Sequence, residues 1–152
     1  MTHTTHAAQL QAAAEQAIAA THAADRVAQA HGMSVTAAGP GTCAVHMTVR
    51  ADMTNAYGTC HGGILFSLAD CAFAFACNSE HQPTVAASAE IEFLAAAHAG
   101  DELTATATEN WRGGRSGIYD IVVTNQVGKR IALFRGRSHR LSAPPVKPGA
   151  TG

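Results

Sequence analysis

Asp70 is the only carboxylate in an otherwise apolar stretch, HGGILFSLADCAFAFAC at residues 61–77. A carboxylate is costly to bury without partners, because its charged form loses hydration. Its helical neighbours one turn away are mostly apolar: Phe66, Ser67, Phe73 and Ala74. We therefore expect a raised pKa and a role as general base or nucleophile. The alternative is a structural carboxylate, hydrogen-bonded to a neighbouring hydroxyl or backbone group.

The His61-Gly62-Gly63 segment at the start of this stretch is the second candidate for chemistry. Glycines that open a helix leave N–H groups and the positive end of the helix dipole accessible, with no Cβ in a ligand's path. An oxyanion fits there; the alternative is that the glycines serve only a tight turn and that His61 is a turn or packing residue. Oxyanion donors and a carboxylate together indicate acyl transfer. We expect a thioester, because a thiol with a pKa of about 8.5 leaves with little protonation.

The spacing of these groups predicts an oligomer. Gly62 and Asp70 are eight residues apart, or about 12 Å along a helix axis. Both must lie within about 3 Å of one reacting centre. We therefore expect a homodimer with two equivalent shared sites, each combining Gly62 of one subunit with Asp70 of the other.

The helices and strands that position these residues can be predicted from the periodicity of apolar residues and from the glycines that interrupt it. An alanine-rich segment, residues 5–31, predicts a loosely docked helix or helix pair ending at Gly32. A buried helix is predicted from about residue 62 to 79. Alternating apolar residues predict five strands, at residues 43–49, 84–94, 103–111, 117–127 and 130–139. Turns between the last four favour antiparallel hairpins.

This order of elements predicts an α+β fold in which a five-stranded antiparallel sheet surrounds the long helix. The expected organisation is an N-terminal helical extension (1–38), one main domain (39–141) and a disordered tail (142–152). With 152 residues, 47% hydrophobic and 14% charged, the composition is typical of a globular domain and not of a disordered chain or a nucleic-acid binder. The apolar stretch is too short and too polar to span a membrane.

Cysteine and histidine usage indicates compartment and cofactors. The four cysteines lack CxxC spacing and the N-terminus lacks a signal-peptide pattern, so free thiols and a cytoplasmic location are expected. The nine histidines are scattered, and no metal site is expected. Eight of the ten basic residues follow Glu109, which indicates either solvated strand faces or a landing site for a phosphorylated ligand.

Five segments together resemble one known family: Asn55, CHGGILFSLAD (60–70), AFAFACN (72–78), GIYDIVVTNQ (117–126) and ALFRGRSHR (132–140). They are similar to the hotdog-fold thioesterases of the phenylacetate-degradation (PaaI) type, over about residues 40–141. The resemblance implies hydrolysis of phenylacetyl-CoA or hydroxyphenylacetyl-CoA-like substrates without a metal or redox cofactor. It also implies a continuous sheet across a dimer, with dimers pairing into tetramers.

The resemblance implies roles for four of the site residues. Asp70 is the expected base or nucleophile, Gly62 the oxyanion donor, and Asn55 and His61 the groups that orient water or substrate. The expected substrate-binding residues are Gly63 and Ser67 beside the reacting groups, Tyr57 at the acyl pocket, and Arg112, Arg115, Arg135 and Arg137 at the phosphates of coenzyme A. Two alternatives stay open, a hotdog hydratase or dehydratase using a His/Asp pair and a non-catalytic acyl-CoA sensing module.

Overall fold

The chain forms three α-helices and six β-strands over residues 2–142, the part that the computed structural model describes. In chain order these are α1 (Thr2–Ala24), α2 (Arg26–Ala30), β1 (Ser34–Gly39), β2 (Thr42–Thr48), α3 (Gly62–Cys77), β3 (Thr84–Phe93), β4 (Glu102–Gly113), β5 (Ser116–Thr124) and β6 (Arg130–Arg140). A single 3-10 turn, Ala51–Met53, lies between β2 and α3. The α+β class is confirmed.

The strands form one antiparallel sheet in the order β1-β2-β4-β5-β6-β3. The predicted β4–β5 and β5–β6 hairpins are confirmed, whereas the predicted β3–β4 hairpin is wrong, because β3 pairs with β6. The connection at residues 94–101 is longer than a tight hairpin loop. It is held instead to the loop before α3, where the N–H of Cys60 donates to the carbonyl of Ala97 at 2.7 Å. β3 thus becomes an edge strand.

The predicted count of five strands is wrong, because β1 forms a sixth that pairs with β2. Its sequence, SVTAAG, contains one large apolar residue, Val35, so alternation is too weak to identify it. The domain boundary expected between residues 38 and 39 falls inside this strand. Of the two possibilities that the sequence left open, a single helix or a helix pair, the structure has the pair. The break is at Asp25, whose Oδ1 atom accepts the N–H of Ala28 at 2.9 Å and caps α2. The predicted tail lies outside the described residues except for Ser142.

The helix α3 packs on one face of the sheet and contacts β2, β3, β4, β5 and β6, as predicted. Its fully buried side chains, which include Leu68, Phe73 and Phe75, meet inward residues of the strands such as Val45 and Ile121. The approach is close at Gly136, where an added Cβ would lie 2.7 Å from the ring of Phe73. None of the described helices is both long and apolar enough to cross a membrane.

The four cysteines are free and buried, as predicted for thiols. Burial raises the pKa of Cys43, Cys71 and Cys77 to about 12 and that of Cys60 to about 11. These thiols therefore stay protonated at neutral pH and act as small apolar core residues.

Candidate active site

The first turn of α3 presents a single uncommitted backbone donor. His61 caps the helix: its Nδ1 atom accepts the N–H of Gly63 at 2.9 Å, and its carbonyl accepts the N–H groups of Ile64 and Leu65. Among residues 2–142, no acceptor hydrogen-bonds the N–H of Gly62. Gly62 is therefore the donor that this helix end offers to an oxyanion, while the N–H of Gly63 is occupied.

The cap also determines the tautomer of the neutral His61 ring. Because Nδ1 accepts a hydrogen bond, the neutral ring carries its proton on Nε2. The side chain is exposed, so the Nε2–H group is open to a ligand. His61 thus has a structural role at the cap, and its role in orienting water or substrate stays a prediction.

Asn55 shapes the loop that leads into α3. Its Oδ1 atom accepts the backbone N–H groups of Tyr57 at 3.0 Å and Thr59 at 3.2 Å, and its Nδ2 group donates to the hydroxyl of Thr59 at 3.0 Å. These bonds stabilise a turn with Gly58 at a φ of 77°. Tyr57 lies at the tip of the loop and is 92% exposed, so within one protomer it lines no acyl pocket.

Asp70 lies midway along α3 and is half-buried. Burial raises the pKa of its carboxyl, and the nearby charge of Asp25 raises it further. The predicted direction of the shift is confirmed. Among the groups that the structure describes, none donates a hydrogen bond to this carboxylate, so the structural alternative finds no partner among them. Ser67, one turn earlier, donates its hydroxyl proton to the carbonyl of Gly63 at 2.9 Å, which leaves its oxygen free to accept.

Asp25 is the residue of this site that sequence reasoning missed. One carboxylate oxygen caps α2, and the other, Oδ2, lies 3.9 Å from the Sγ atom of Cys71, which follows Asp70 in the chain. The N-terminal helices thus bring a second negative charge to the candidate base. A capping residue type before Arg26 is visible in the sequence, but nothing in it shows that this cap packs against the middle of α3.

Comparison with known proteins decides the family. The family model described as the thioesterase superfamily matches residues 57–132, which include the whole of α3. The acyl-coenzyme A thioesterase PaaI of Escherichia coli is 50% identical over 117 residues, or 77% of this chain and 84% of that protein. The chain belongs to the thioesterase superfamily. The predicted resemblance and the predicted enzyme class are therefore confirmed.

Solved structures of two PaaI proteins confirm the hotdog fold. The structure of E. coli PaaI matches with a TM-score of 0.88 at 45% identity, covering 90% of this chain and 99% of that one. A structure of the phenylacetic acid degradation protein PaaI from Thermus thermophilus matches with a TM-score of 0.74 at 38% identity, covering 77% and 100%. The E. coli match is longer than the segment over which the sequence resembles the family, so it extends into the N-terminal helices.

The four arginines expected at the phosphates of the thioesterase's substrate do not converge. Arg135 and Arg137 alternate along β6 with buried residues and therefore face away from α3. Arg135 also pairs with Asp120 through two hydrogen bonds, of 2.7 and 3.0 Å. Arg112 and Arg115 instead line one cleft at the β4–β5 turn. The structure thus divides the set into two pairs on different surfaces.

Metal-ligating side chains are dispersed in this thioesterase. Within the described part of the chain, no three His, Cys, Asp or Glu side chains group as ligands for an ion.

Proposed function

We propose that this thioesterase hydrolyses acyl-CoA, with phenylacetyl-CoA or its ring-hydroxylated derivatives as substrates. The observation that carries the proposal is on α3: a free N–H at Gly62 and, in its middle, an Asp70 carboxylate with a raised pKa and no partner in residues 2–142. The names of two relatives support the substrate class, an acyl-coenzyme A thioesterase and a phenylacetic acid degradation protein. The proposed reaction takes place in the cytoplasm and needs no metal or redox cofactor.

The proposed site lies between two subunits. Gly62 and Asp70 belong to one helix and are about 12 Å apart along its axis, so one protomer cannot bring both to a single carbonyl. β3 is one of the two edge strands of the sheet and is exposed along most of its length. Exposed edges of this kind invite pairing. We propose that β3 pairs antiparallel with its partner copy about a two-fold axis, and that such dimers associate into a tetramer.

The proposed reaction uses the charged form of Asp70. The carboxylate takes a proton from water, the new hydroxide oxygen bonds to the thioester carbon, and the carbonyl oxygen becomes an oxyanion held by the N–H of Gly62. Collapse breaks the carbon–sulfur bond, and the proton on Asp70 passes to the departing thiolate. Direct attack by Asp70, followed by hydrolysis of the resulting anhydride, requires the same charged carboxylate.

A thiol-release assay tests the reaction and the substrate class. With dithiobis-nitrobenzoate present, phenylacetyl-CoA and hydroxyphenylacetyl-CoA should release thiol with a higher kcat/KM than straight-chain acyl-CoAs of similar size. A better straight-chain substrate would overturn the aromatic preference. A hydratase would consume a 2-enoyl-CoA without releasing thiol, and a sensing module would bind acyl-CoA without turnover; either result would overturn the hydrolase itself.

Subunit mixing tests the shared site. Asp70→Asn and Gly62→Pro should each be inactive alone, since every site then lacks one group. Random mixing of the two variants should restore about a quarter of wild-type activity, because half the dimers are hybrid and each hybrid has one intact site. If each group acted within its own protomer, mixing would restore nothing.

A further inference from the structure

Ser67 lies one turn before Asp70 on the partly exposed side of α3. Residues three apart on a helix have Cβ atoms about 5–6 Å apart. Helical side chains lean toward the N-terminus, so the Asp70 carboxylate leans over the turn that carries Ser67. The other side chains of α3 one turn from Asp70 are apolar: Phe66, Phe73 and Ala74. On this helix, Ser67 therefore supplies the polar side chain next to the candidate base.

The hydroxyl proton of Ser67 is already committed. Its Oγ atom lies 2.9 Å from the carbonyl oxygen of Gly63, and because a carbonyl can only accept, Ser67 is the donor in this bond. The lone pairs of the Oγ atom stay free, since no donor within residues 2–142 hydrogen-bonds them. Ser67 thus faces its surroundings as an acceptor. It is not arranged as a nucleophile, because its proton is directed at Gly63 and not at Asp70.

The other polar groups near the site have their acceptors occupied. The Oδ1 atom of Asn55 accepts two backbone N–H groups of its own loop, and the Nδ1 atom of His61 accepts one from α3. The amide and the neutral ring then have only N–H donors to offer. One oxygen of Asp25 caps α2, and the other lies against the thiol of Cys71. Among these groups, Ser67 is the acceptor that is still available beside Asp70.

We infer that Ser67 accepts one proton of the attacking water while Asp70 accepts the other. This inference rests on the proposed function and adds a catalytic residue to its mechanism. Two hydrogen bonds of about 2.8 Å from one water molecule span acceptors about 4.5 Å apart, which suits two short side chains one turn apart. With both protons held on α3, a lone pair of the water oxygen points away from the helix toward the thioester carbon.

The two acceptors determine where each proton goes. Asp70 takes its proton as the water oxygen bonds to the thioester carbon, whose oxygen is held by Gly62 of the partner subunit. The second proton stays on the new hydroxyl group of the intermediate and remains hydrogen-bonded to Ser67. The carbon–sulfur bond then breaks, and the proton on Asp70 passes to the departing thiolate. Ser67 itself neither gains nor loses a proton.

Competition between water and methanol tests this role. Methanol has a single hydroxyl proton, which Asp70 takes, so its attack needs no second acceptor and gives a methyl ester. Ser67→Ala removes the acceptor for water and makes room for the methyl group. With phenylacetyl-CoA at a fixed methanol concentration, the ratio of methyl phenylacetate to phenylacetate should rise about tenfold, the loss expected for one hydrogen bond. The kcat of hydrolysis should fall by a similar factor with KM unchanged.

Two further variants separate this role from a structural one. Ser67→Thr keeps the oxygen and can form the same bond to the carbonyl four residues earlier, so its product ratio should be closer to wild type than that of Ser67→Ala. Thr21→Ala is the matched control. Thr21 also donates to the carbonyl four residues earlier, that of Ala17, at 2.9 Å, but it lies in α1, and its loss should change neither the ratio nor kcat.

The product ratio decides the outcome. An unchanged ratio in Ser67→Ala would overturn the inference even if both rates fell, because a purely structural defect slows water and methanol alike. Thiol release by the wild-type protein would in that case leave the proposed function standing. A wild-type protein that released no thiol from any acyl-CoA would overturn the proposed function and this inference with it.

Discussion

The Nδ1 atom of His61 accepts a hydrogen bond of 2.9 Å from the backbone N–H of Gly63. The N–H groups of Ile64 and Leu65 both donate to the carbonyl of His61. Three of the four N–H groups in the first turn of α3 therefore have an acceptor. Within the described residues, only the N–H of Gly62 is left. The cap therefore leaves only one of the two adjacent glycines, Gly62, as a candidate oxyanion donor, a distinction that the paired glycines alone do not make.

Replacing Gly62 by proline removes this donor without ending the helix. Gly62 is the first helical position, where proline is well tolerated, and His61 has the extended backbone (φ −59°, ψ 135°) that proline requires before it. We expect kcat to fall about 10²–10³-fold, the usual effect of losing one oxyanion donor. Gly62→Ala is the matched control, because it adds the same Cβ beside Phe93 and keeps the N–H. Equal losses of kcat in both variants would exclude the backbone donor.

Asp70→Asn tests the base. The substitution keeps the shape of the side chain and removes its charge, so we expect kcat to fall about 10²–10⁴-fold while KM changes little. Stopped-flow or steady-state thiol release measures both constants. A variant with wild-type kcat would show that Asp70 is not the reacting carboxylate. Asp70→Glu keeps the charge but displaces it, and it should retain more activity than Asp70→Asn.

The same substitution should stabilise the fold. The pKa of Asp70 is raised in the folded protein, so folding disfavours its charged form, and at neutral pH the charge is a net destabilising feature. Asp70→Asn should therefore raise Tm at pH 7. The gain should shrink as the pH falls through the raised pKa and vanish below the ordinary aspartate pKa of about 3.9, where both states are protonated. Calorimetry across this range checks the prediction, and a Tm gain that persisted in acid would contradict it.

Asp25→Asn should shift the pH profile of the enzyme. The charge of Asp25 raises the pKa of Asp70, so its removal lowers that pKa and moves the acidic limb of kcat/KM to lower pH. Asparagine caps a helix as well as aspartate does, and α2 should remain intact. Cys71, between the two carboxylates, has a pKa of about 12 and does not titrate in this range. An unchanged acidic limb would show that Asp25 has only its capping role.

Much of this fold could be predicted from local patterns. Strands with strong alternation, such as β5 with its buried Tyr119, Ile121 and Val123, are predictable close to their observed limits. The alternation in β1 is too weak to predict that strand. The neighbour of β3 is not predictable from adjacency in sequence, because its connection to β4 crosses over other strands. Periodicity reports which face of a strand is buried, but partner choice depends on contacts across the whole chain.

The residues of the candidate site also divide into those that local sequence identifies and those that only the folded chain brings together. Gly62, His61 and Asp70 are close in sequence and share one helix end or face, so their types and spacing identify them. Asp25 lies 46 residues before Cys71 and could not be found in this way. The arginines were identifiable as a basic group, but whether each meets Glu80, Asp120 or no carboxylate is decided by strand register and the turn at β4–β5.

Gly136 sets how closely the sheet approaches α3. An added Cβ would lie 2.7 Å from the ring of Phe73, which is 1% exposed and cannot move into solvent. Gly136→Ala should therefore destabilise the fold by about 1–3 kcal/mol, the usual cost of overpacking a core, measured by urea unfolding. Phe73→Leu in the same chain should recover part of that loss, because a smaller side chain makes room for the methyl group. Independent, additive effects of the two substitutions would show that the contact with Phe73 is not the reason for glycine at this position.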